Sequence, residues 1–498
     1  MKVEEISRTE FAAAKNAAAE CKAMDAAARY TLDRVAHWDQ VARWMDRHKG
    51  LGGAYQRRLA GLYRHLVPKG KRVLEIGCAQ GDLLAALEPV VGVGVDFSGE
   101  MLDRARQKYP ELRFIEANAH ELDLDEKFDV IVLSDLVNDL WDVQRVLELV
   151  GRLSLPHTRV VVNLYNQLWE FPLRLARRLR LARPNMAQNW LTVEDVTGLL
   201  ALANLEVIRH RKEVLLPLSL PLVSTLANRY LARIWPFNSA VLTHMLVARP
   251  NPAGHPIVKE PSVSIIIPAR NEAGNIASIF SRTPEMGTGS ELIFIEGGST
   301  DDTYQMIEQA ILDHPERRCL LLKQTGTGKG DAVRLGFAHA SGDVLMILDS
   351  DLTVPPEDLP RFLEVLVSGK ADFANGSRLV YPLEKEAMRF LNMIGNKCFS
   401  LVFSWLLEQT LKDTLCGTKA LWKDGYEEIA ANRDYFGEFD PFGDFDLLFG
   451  AARQNMKIVD LPIRYRDRTY GTTNIQRWSH GWLLLKMVVF AARRIKFV

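Results

Sequence analysis

The strongest constraint on this chain is a pattern that repeats on both sides of one proline-rich stretch. Short apolar runs alternate there with longer helical patterns. Residues 250–261 read Pro-Asn-Pro-Ala-Gly-His-Pro-Ile-Val-Lys-Glu-Pro. Prolines at this density sustain neither a helix nor a central strand, so the stretch reads as a linker. Before it, strands are predicted at Val73–Ile76, Val91–Val95, Arg113–Glu116, Val130–Leu133 and Val160–Leu164. Two later runs, Leu205–Arg209 and Val241–Val247, are expected to close that sheet as a pair. After the linker, strands are predicted at Val263–Ile267, Glu291–Ile295, Cys319–Lys323 and Val344–Leu348. Strands alternating with helices describe α/β domains with mainly parallel sheets. The expected order is a helical extension over 1–29, a first domain over 30–249, the linker, a second domain over 262–475 and an amphipathic helix over 476–498.

Composition narrows the function classes. The 498 residues hold 62 basic and 62 acidic side chains, so no basic footprint for nucleic acid is expected. The cysteines Cys21, Cys78, Cys319, Cys398 and Cys416 are odd in number and form no Cys-x-x-Cys pair. Free thiols in a reducing cytoplasm fit better than disulfides or a zinc site. The start of the chain has no apolar core of signal-peptide type. No apolar run reaches the roughly 18 residues of a spanning helix. Residues 388–407 and 482–498 mix apolar residues with cations and fit two readings equally: helices lying on a membrane surface, or core-facing helices with a solvated basic edge. A cytoplasmic protein is expected, and the first of these readings would place it peripherally at the cytoplasmic membrane face.

The first predicted strand runs into Glu75-Ile76-Gly77-Cys78-Ala79-Gln80-Gly81-Asp82 and a helix. Such a glycine-rich turn lets backbone approach a ligand at the carboxyl edge of a sheet. The second strand ends at Asp96, where a carboxylate can accept from both ribose hydroxyls. Asn118 and Ala119 follow the third strand within reach of an adenine edge, and Ser134-Asp135 follow the fourth. The spacing is wrong for the GxGxxG of a dinucleotide fold. The series resembles the class I S-adenosylmethionine-dependent methyltransferases, a Rossmann-like fold, over roughly residues 30–250. Asn118 stands where that family often has aspartate. The resemblance implies S-adenosylmethionine held by Glu75, Gly77, Cys78, Gly81, Asp96, Asn118, Ala119 and Ser134. His120, Asp135, Asn138 and Tyr165 stand where a methyl acceptor would be placed, and none has a motif that makes it the base.

Beyond the linker, a buried strand stops at Pro268 and opens Ala269-Arg270-Asn271-Glu272. The next ends in Glu296-Gly297-Gly298-Ser299-Thr300-Asp301. Gly326-Thr327-Gly328-Lys329 opens a helix, and the fourth strand ends in Asp349-Ser350-Asp351. Carboxylates at strand ends can hold a hard divalent cation against the diphosphate of a sugar nucleotide, and Lys329 adds positive charge. Gly330 follows Lys329 where a P-loop needs Ser or Thr, so an ATPase reading fails.

The ordered set resembles family-2 glycosyltransferases of the GT-A nucleotide-sugar fold over about residues 261–470. Within them it is most similar to polyprenyl-phosphate sugar transferases of the dolichol-phosphate mannose synthase kind. The resemblance implies a UDP- or GDP-linked donor contacted by Pro268, Arg270, Glu272, Asp301, Lys329, Asp349 and Ser350. It implies Mg2+ or Mn2+ on Asp349 and Asp351. The segment Asp413-Thr414-Leu415-Cys416-Gly417-Thr418-Lys419 carries lysine where the subgroup has arginine, and a lysine is a point charge, not a bidentate fork. Arg468 matches a further basic residue. Asp444, in Phe442-Gly443-Asp444-Phe445-Asp446, matches the aspartate that deprotonates an acceptor hydroxyl in inverting members. Asp351, Lys419, Arg468 and Asp444 are thus the catalytic candidates, and Gln476-Arg477-Trp478 a lid or product-phosphate segment. The acceptor expected is a polyprenyl phosphate or a glycan. The whole reads as a bifunctional enzyme, the alternative being a glycosyltransferase with a non-catalytic S-adenosylmethionine-binding regulatory domain.

Overall fold

The computed structural model describes residues 26–47, 53–179, 185–218, 220, 222–252, 260–381, 390–433, 444–466, 468, 470 and 477–498. Two seven-stranded sheets carry the chain. The first is built from β1 (Arg72–Ile76), β2 (Val91–Asp96), β3 (Arg113–Glu116), β4 (Phe128–Leu133), β5 (Ser154–Tyr165), β6 (Leu205–Glu213) and β7 (Thr243–Pro250). Its order is β3-β2-β1-β4-β5-β7-β6, parallel up to β5, with β7 antiparallel to both β5 and β6. The expected closing pair is present, and β7 is inserted between β5 and β6. Both faces of β1 are covered. Leu74 joins one core with Val93, Ile131 and Val160, while Val73 joins the other with Leu62, Leu102 and Val247. Burial on both faces is why these strands read as continuous apolar runs.

The second sheet holds β8 (Val263–Ala269), β9 (Ser290–Glu296), β10 (Arg318–Lys323), β11 (Val344–Ile347), β12 (Phe373–Ser377), β13 (Lys419–Trp422) and β14 (Ile458–Pro462). Its order is β10-β9-β8-β11-β13-β12-β14. The first four strands are parallel, and β13 runs antiparallel to β11 and β12. These are two α/β domains, as the two strand series predicted.

Two expected boundaries differ. A helix spans Ala26–Arg47, across the division read at residue 30, because Val41 and Ala42 pack on Met101 of the first domain. The linker reading began at Pro250, yet Pro250 ends β7 and pairs with Leu205. Proline is tolerated there because it ends the ladder. Residues 253–259 lie outside the described residues.

The halves are bonded to each other along the last strands of the first sheet. Arg159 Nη2 and Arg249 Nη1 reach the two carboxylate oxygens of Asp372 at 2.7 and 2.8 Å. Deeper in, Glu408 accepts from Arg209 Nη2 and Lys496 Nζ, both at 2.9 Å, and lies 3.3 Å from Arg211 Nε. Burial would raise the Glu408 carboxyl; the cations around it outweigh burial and hold it far below its ordinary range.

Candidate functional sites

In an open α/β sheet, ligands bind outside the strand carboxyl ends where the strand order reverses. That point lies between β1 and β4 in the first sheet and between β8 and β11 in the second. The sequence motifs sit at both.

In the first half, the loop after β1 is curled by three left-handed residues: Gly77 (φ +77°), Ala79 (+46°) and Gly81 (+73°). Gly77 N and Cys78 N donate to Val95 O at 2.7 and 3.0 Å, folding the loop against the end of β2. A Cβ on Gly77 would stand 2.9 Å from Leu136, and one on Gly81 2.7 Å from Phe114, so close approach requires glycine at both. Asp96 locks this shape: Oδ2 accepts from Ala79 N and Oδ1 from Ser98 N, each at 2.9 Å. Glu75 is buried behind the loop, and burial, with Asp96 and Asp82 nearby, holds its carboxyl well above the ordinary range. Burial likewise raises the Cys78 thiol, which leaves it protonated and unreactive. A buried carboxyl, curled backbone and one anchored carboxylate form a cradle that fits a ribose and an amino-acid moiety.

Among the acceptor candidates, His120 is committed elsewhere. Its Nδ1 lies 2.8 Å from Asn118 Oδ1, and its Nε2 accepts from Asp142 N at 3.1 Å. Asn118 Oδ1 also caps the short turn by accepting from His120 N at 3.1 Å, so this oxygen serves the loop. Asn138 is buried and donates to Asn189 O at 2.7 Å. Ala119 is packed in the core beside Leu122. Asp135 is different. It follows β4 at φ +53° and accepts from Tyr55 OH at 2.9 Å and from Asn163 Nδ2. Tyr63 OH completes the network on Asn163 Oδ1 at 2.7 Å. Tyr165 stands 6.2 Å from the Tyr55 ring and 6.4 Å from Trp190. Sequence reading missed Tyr55, Tyr63 and Asn163 because they carry no motif and meet only in the fold.

In the second half, the structure draws the strand-end acids together through cations. Arg468 bridges Glu272 Oε1 at 3.1 Å and Asp351 Oδ2 at 2.6 Å. Lys329 Nζ pairs with Asp349 Oδ1. Glu272 also accepts from Asn275 at 2.6 Å; burial nevertheless outweighs Arg468 and raises this carboxyl to about 7. Asp301 accepts from Thr303 N at 3.1 Å, Ala273 N at 3.3 Å and Tyr470 OH at 3.4 Å. Burial opposes these bonds, and the net effect lowers the Asp301 carboxyl. Asp349 is also lowered, the Lys329 charge overcoming burial. Asp351 Oδ1 accepts from Thr353 N at 3.1 Å, and Ser350 Oγ donates to Pro268 O at 2.8 Å, which joins the β8 and β11 loops. Arg270 is exposed at the rim of the β8 loop.

Lys419, a catalytic candidate on the resemblance, is the first residue of β13 and fully buried, with Nζ on Cys416 O; its charge is among those that lower the Asp349 carboxyl. Pairing with Asn375 of β12 carries it inward. The segment still serves the site, because a side chain on Gly417 would overlap both Lys329 Nζ and the Asp349 carboxylate. Asp413 is held by Arg378 through a bidentate pair at 2.7 and 2.9 Å and by Asn396 at 2.9 Å. Burial raises it, Arg378 overrides, and the carboxyl falls to about 2. Arg378, whose fork is engaged on Asp413, follows β12, a strand the sequence reading did not find. Asp444 opens the Asp444–Arg453 helix, and its side chain lies outside the described residues. Gln476 and the side chains of Arg477 and Trp478 do too.

Two carboxylates, Asp349 and Asp351, flank Ser350 beside a lysine, a donor set that fits a hard divalent cation completed by diphosphate oxygens. No group of three or more His, Cys, Asp or Glu is assembled for a metal among the described residues, so the protein alone does not close a cage.

Comparison with known proteins agrees with both halves. Residues 51–210 match the family described as methyltransferase domain, and residues 264–430 match glycosyl transferase family 2. The glycosyltransferase AglJ of Haloferax volcanii is 28% identical over 225 residues, which is 45% of this chain and 69% of that protein. The dolichol-phosphate mannosyltransferase of Pyrococcus furiosus is 30% identical over 220 residues, 43% of this chain and 59% of that protein. The glucosyl-3-phosphoglycerate synthase of Mycobacterium tuberculosis, solved with Mn2+, UDP and its product, superposes at a TM-score of 0.36 and 20% identity, over 47% of this chain and 80% of that one.

Proposed function

From a chain that joins a methyltransferase domain to a family-2 glycosyltransferase domain, we propose a bifunctional enzyme that transfers a methyl group from S-adenosylmethionine and a sugar from a nucleotide donor. The observation that carries the reading is that Arg468 joins Glu272 to Asp351, and Lys329 pairs with Asp349, where the strand order of the second sheet reverses.

In sugar transfer, an acceptor oxygen attacks the anomeric carbon and the nucleoside diphosphate leaves with the bonding electrons. Mg2+ or Mn2+, when bound, neutralises that leaving group. Asp349 and Asp351 would hold it, and Lys329 would face the diphosphate as a second positive charge. Arg468 would then be displaced from Asp351 and turn to phosphate oxygens. Glu272 and Asp301 would position the nucleoside. Names of relatives such as dolichol-phosphate mannosyltransferase support a polyprenyl-phosphate acceptor, which needs no base because it is already ionised. A glycan hydroxyl would need one, and Asp444 is the residue for it.

In methyl transfer, the acceptor atom attacks the methyl carbon in line and the sulfonium leaves as a neutral thioether. The curled loop and Asp96 would orient the cofactor, which is most of the catalysis such a step needs. Asp135, held by Tyr55 and Asn163, would contact the acceptor. Burial and the Asp135 charge push the Tyr55 phenol well up, so it stays protonated and donates.

Calorimetry of the full chain with UDP- and GDP-sugars, with and without Mn2+, tests the first site, and S-adenosylmethionine tests the second. Metal-dependent binding of one donor, with independent binding of the methyl donor, is expected. Folded protein that binds neither would refute the proposal.

A further inference from the structure

Outside both sites, exposed apolar side chains recur at helical spacing. In the methyltransferase half, Leu168, Phe171, Leu175 and Leu179 are all exposed along the Glu170–Arg178 helix and its flanks, spaced as one helical stripe. A second stripe follows β6: Leu222, Leu226 and Tyr230 recur every fourth residue, and Trp235 beyond them is 80% exposed. In the glycosyltransferase half, Ile394, Leu401 and Trp405 face outward on the Phe390–Leu407 helix. Trp482, Leu485 and Val489 do so on the Arg477–Ala491 helix.

These stripes are physically joined. Asn166 Nδ2 donates to Ser239 O at 3.0 Å and Trp169 Nε1 to Ala240 O at 2.9 Å, tying the first stripe to the end of the second. Arg229 Nε donates to Phe497 O at 2.9 Å, and the Tyr230 ring lies 5.3 Å from that of Phe497. The Phe497 ring also lies 5.8 Å from Trp405. Phe497 in turn ends the segment that continues the Arg477–Ala491 helix. A chain of contacts therefore runs from one half to the other along apolar surface.

Charge identifies what covers it. The chain as a whole is neutral, yet residues 171–193, 214–259, 387–407 and 468–498 contain no Asp or Glu. Arg174, Arg178, Arg229, Lys397, Lys486 and Arg493 are exposed in those same segments. Aromatic and leucine stripes edged by cations, with Glu170 beside Arg174 as the acid within the first stripe, match the interface of a bilayer carrying anionic lipid. A second copy would meet this face cation to cation. Among the described residues no helix is long and apolar enough to cross a membrane, so the face would lie on the bilayer.

We infer that the two halves share one membrane-docking face, to which the methyltransferase half contributes the stripes at Leu168–Leu179 and Leu222–Trp235. This goes beyond the proposed activities: a soluble acceptor at either site would leave it standing.

The full chain is sedimented with vesicles of phosphatidylcholine alone and of phosphatidylcholine mixed with phosphatidylglycerol. Binding to the mixed vesicles, weakened by salt, is expected. Phe171→Glu combined with Leu226→Glu lowers that binding about tenfold or more, with S-adenosylmethionine affinity and melting temperature unchanged. Wild-type protein that ignores both vesicles, or a double variant that binds as well as wild type, overturns the inference. So does a dimer in solution that this variant converts to monomer, which would assign the face to a second copy. If the variant fails to fold, the unmodified chain decides: a blue shift of tryptophan fluorescence on mixing with the anionic vesicles is expected, and its absence overturns the inference.

Discussion

The two strand-end sites hold their acids in opposite ways. In the first half, Asp96 is held by the backbone amides of Ala79 and Ser98, neutral donors fixed by the fold. In the second, Asp349 pairs with Lys329, and Asp351, capped on one oxygen by Thr353 N, pairs through the other with Arg468; both charges sit on long side chains. The amides of the first arrangement are set by the backbone before a ligand arrives. The second stores its negative charge behind cations that a metal must replace. A ligand that is neutral or singly charged suits the first; a dication with a diphosphate suits the second, because the displaced cations can turn to phosphate oxygens.

That contrast breaks first at Asp349. Asp349→Ala removes the proposed metal-binding charge and the carboxylate that pairs with Lys329. Metal-dependent donor affinity is expected to fall about a thousandfold, several kcal/mol. S-adenosylmethionine affinity should not change, because the two sites sit at the ends of different sheets. Calorimetry on the variant reads both, and a retained metal-dependent donor affinity would remove Asp349 from the site. Next in size is Asp96→Ala. It deletes two charge-assisted bonds that hold the loop, together with any bond to a ribose. At about 1.5–3 kcal/mol for a bond to a charged group, a loss of about 10–100-fold in S-adenosylmethionine affinity follows. Donor binding that fell in parallel would show that the halves are not independent.

Which parts of this contrast were legible in the sequence follows from physics. The motif strands were found because burial on both faces writes a continuous apolar run, as in Val263–Ala269. The strands β12, β13 and β14 were not found. They read Phe-Ala-Asn-Gly-Ser, Lys-Ala-Leu-Trp and Ile-Val-Asp-Leu-Pro, short and broken by polar residues that pair deep in the fold. Asn375, for example, donates to Asp413 O at 2.8 Å and Asp460 at 2.7 Å. Missing β13 hid that Lys419 starts a buried strand, and missing β12 hid Arg378. The acids at strand ends were legible because strand order places them. Their partners were not: Arg468 meets Asp351 across 117 residues, and no local pattern records that.

A pH profile sharpens the comparison further. Glu272 is the one acid of the second site raised to about 7. Its folded value lies above the ordinary 4.5, so the folded chain takes up a proton between those pH values and loses stability as pH rises through 7. A role for the carboxylate as acceptor from a nucleobase N–H requires the ionised form. Donor affinity should then climb with pH through 7, reaching about tenfold between pH 6 and the plateau. Glu272→Gln should flatten that rise. S-adenosylmethionine binding serves as the internal control. A donor-binding profile identical in wild type and Glu272→Gln would detach Glu272 from the nucleoside.

The smallest effect is the most specific to the contrast. Arg468 competes with a metal for Asp351 before the donor arrives, and helps the diphosphate afterwards. Arg468→Ala should therefore move two readouts in opposite directions. Mn2+ affinity without nucleotide should rise about threefold, since a partly exposed ion pair contributes about 0.2–1 kcal/mol. Sugar transfer should fall, because the leaving group loses a positive charge. Asp96 is held by the Ala79 and Ser98 amides, which no side-chain substitution removes. If Arg468→Ala weakened Mn2+ binding, Arg468 would be shaping the metal site, and the second site too would be complete before its ligand arrives.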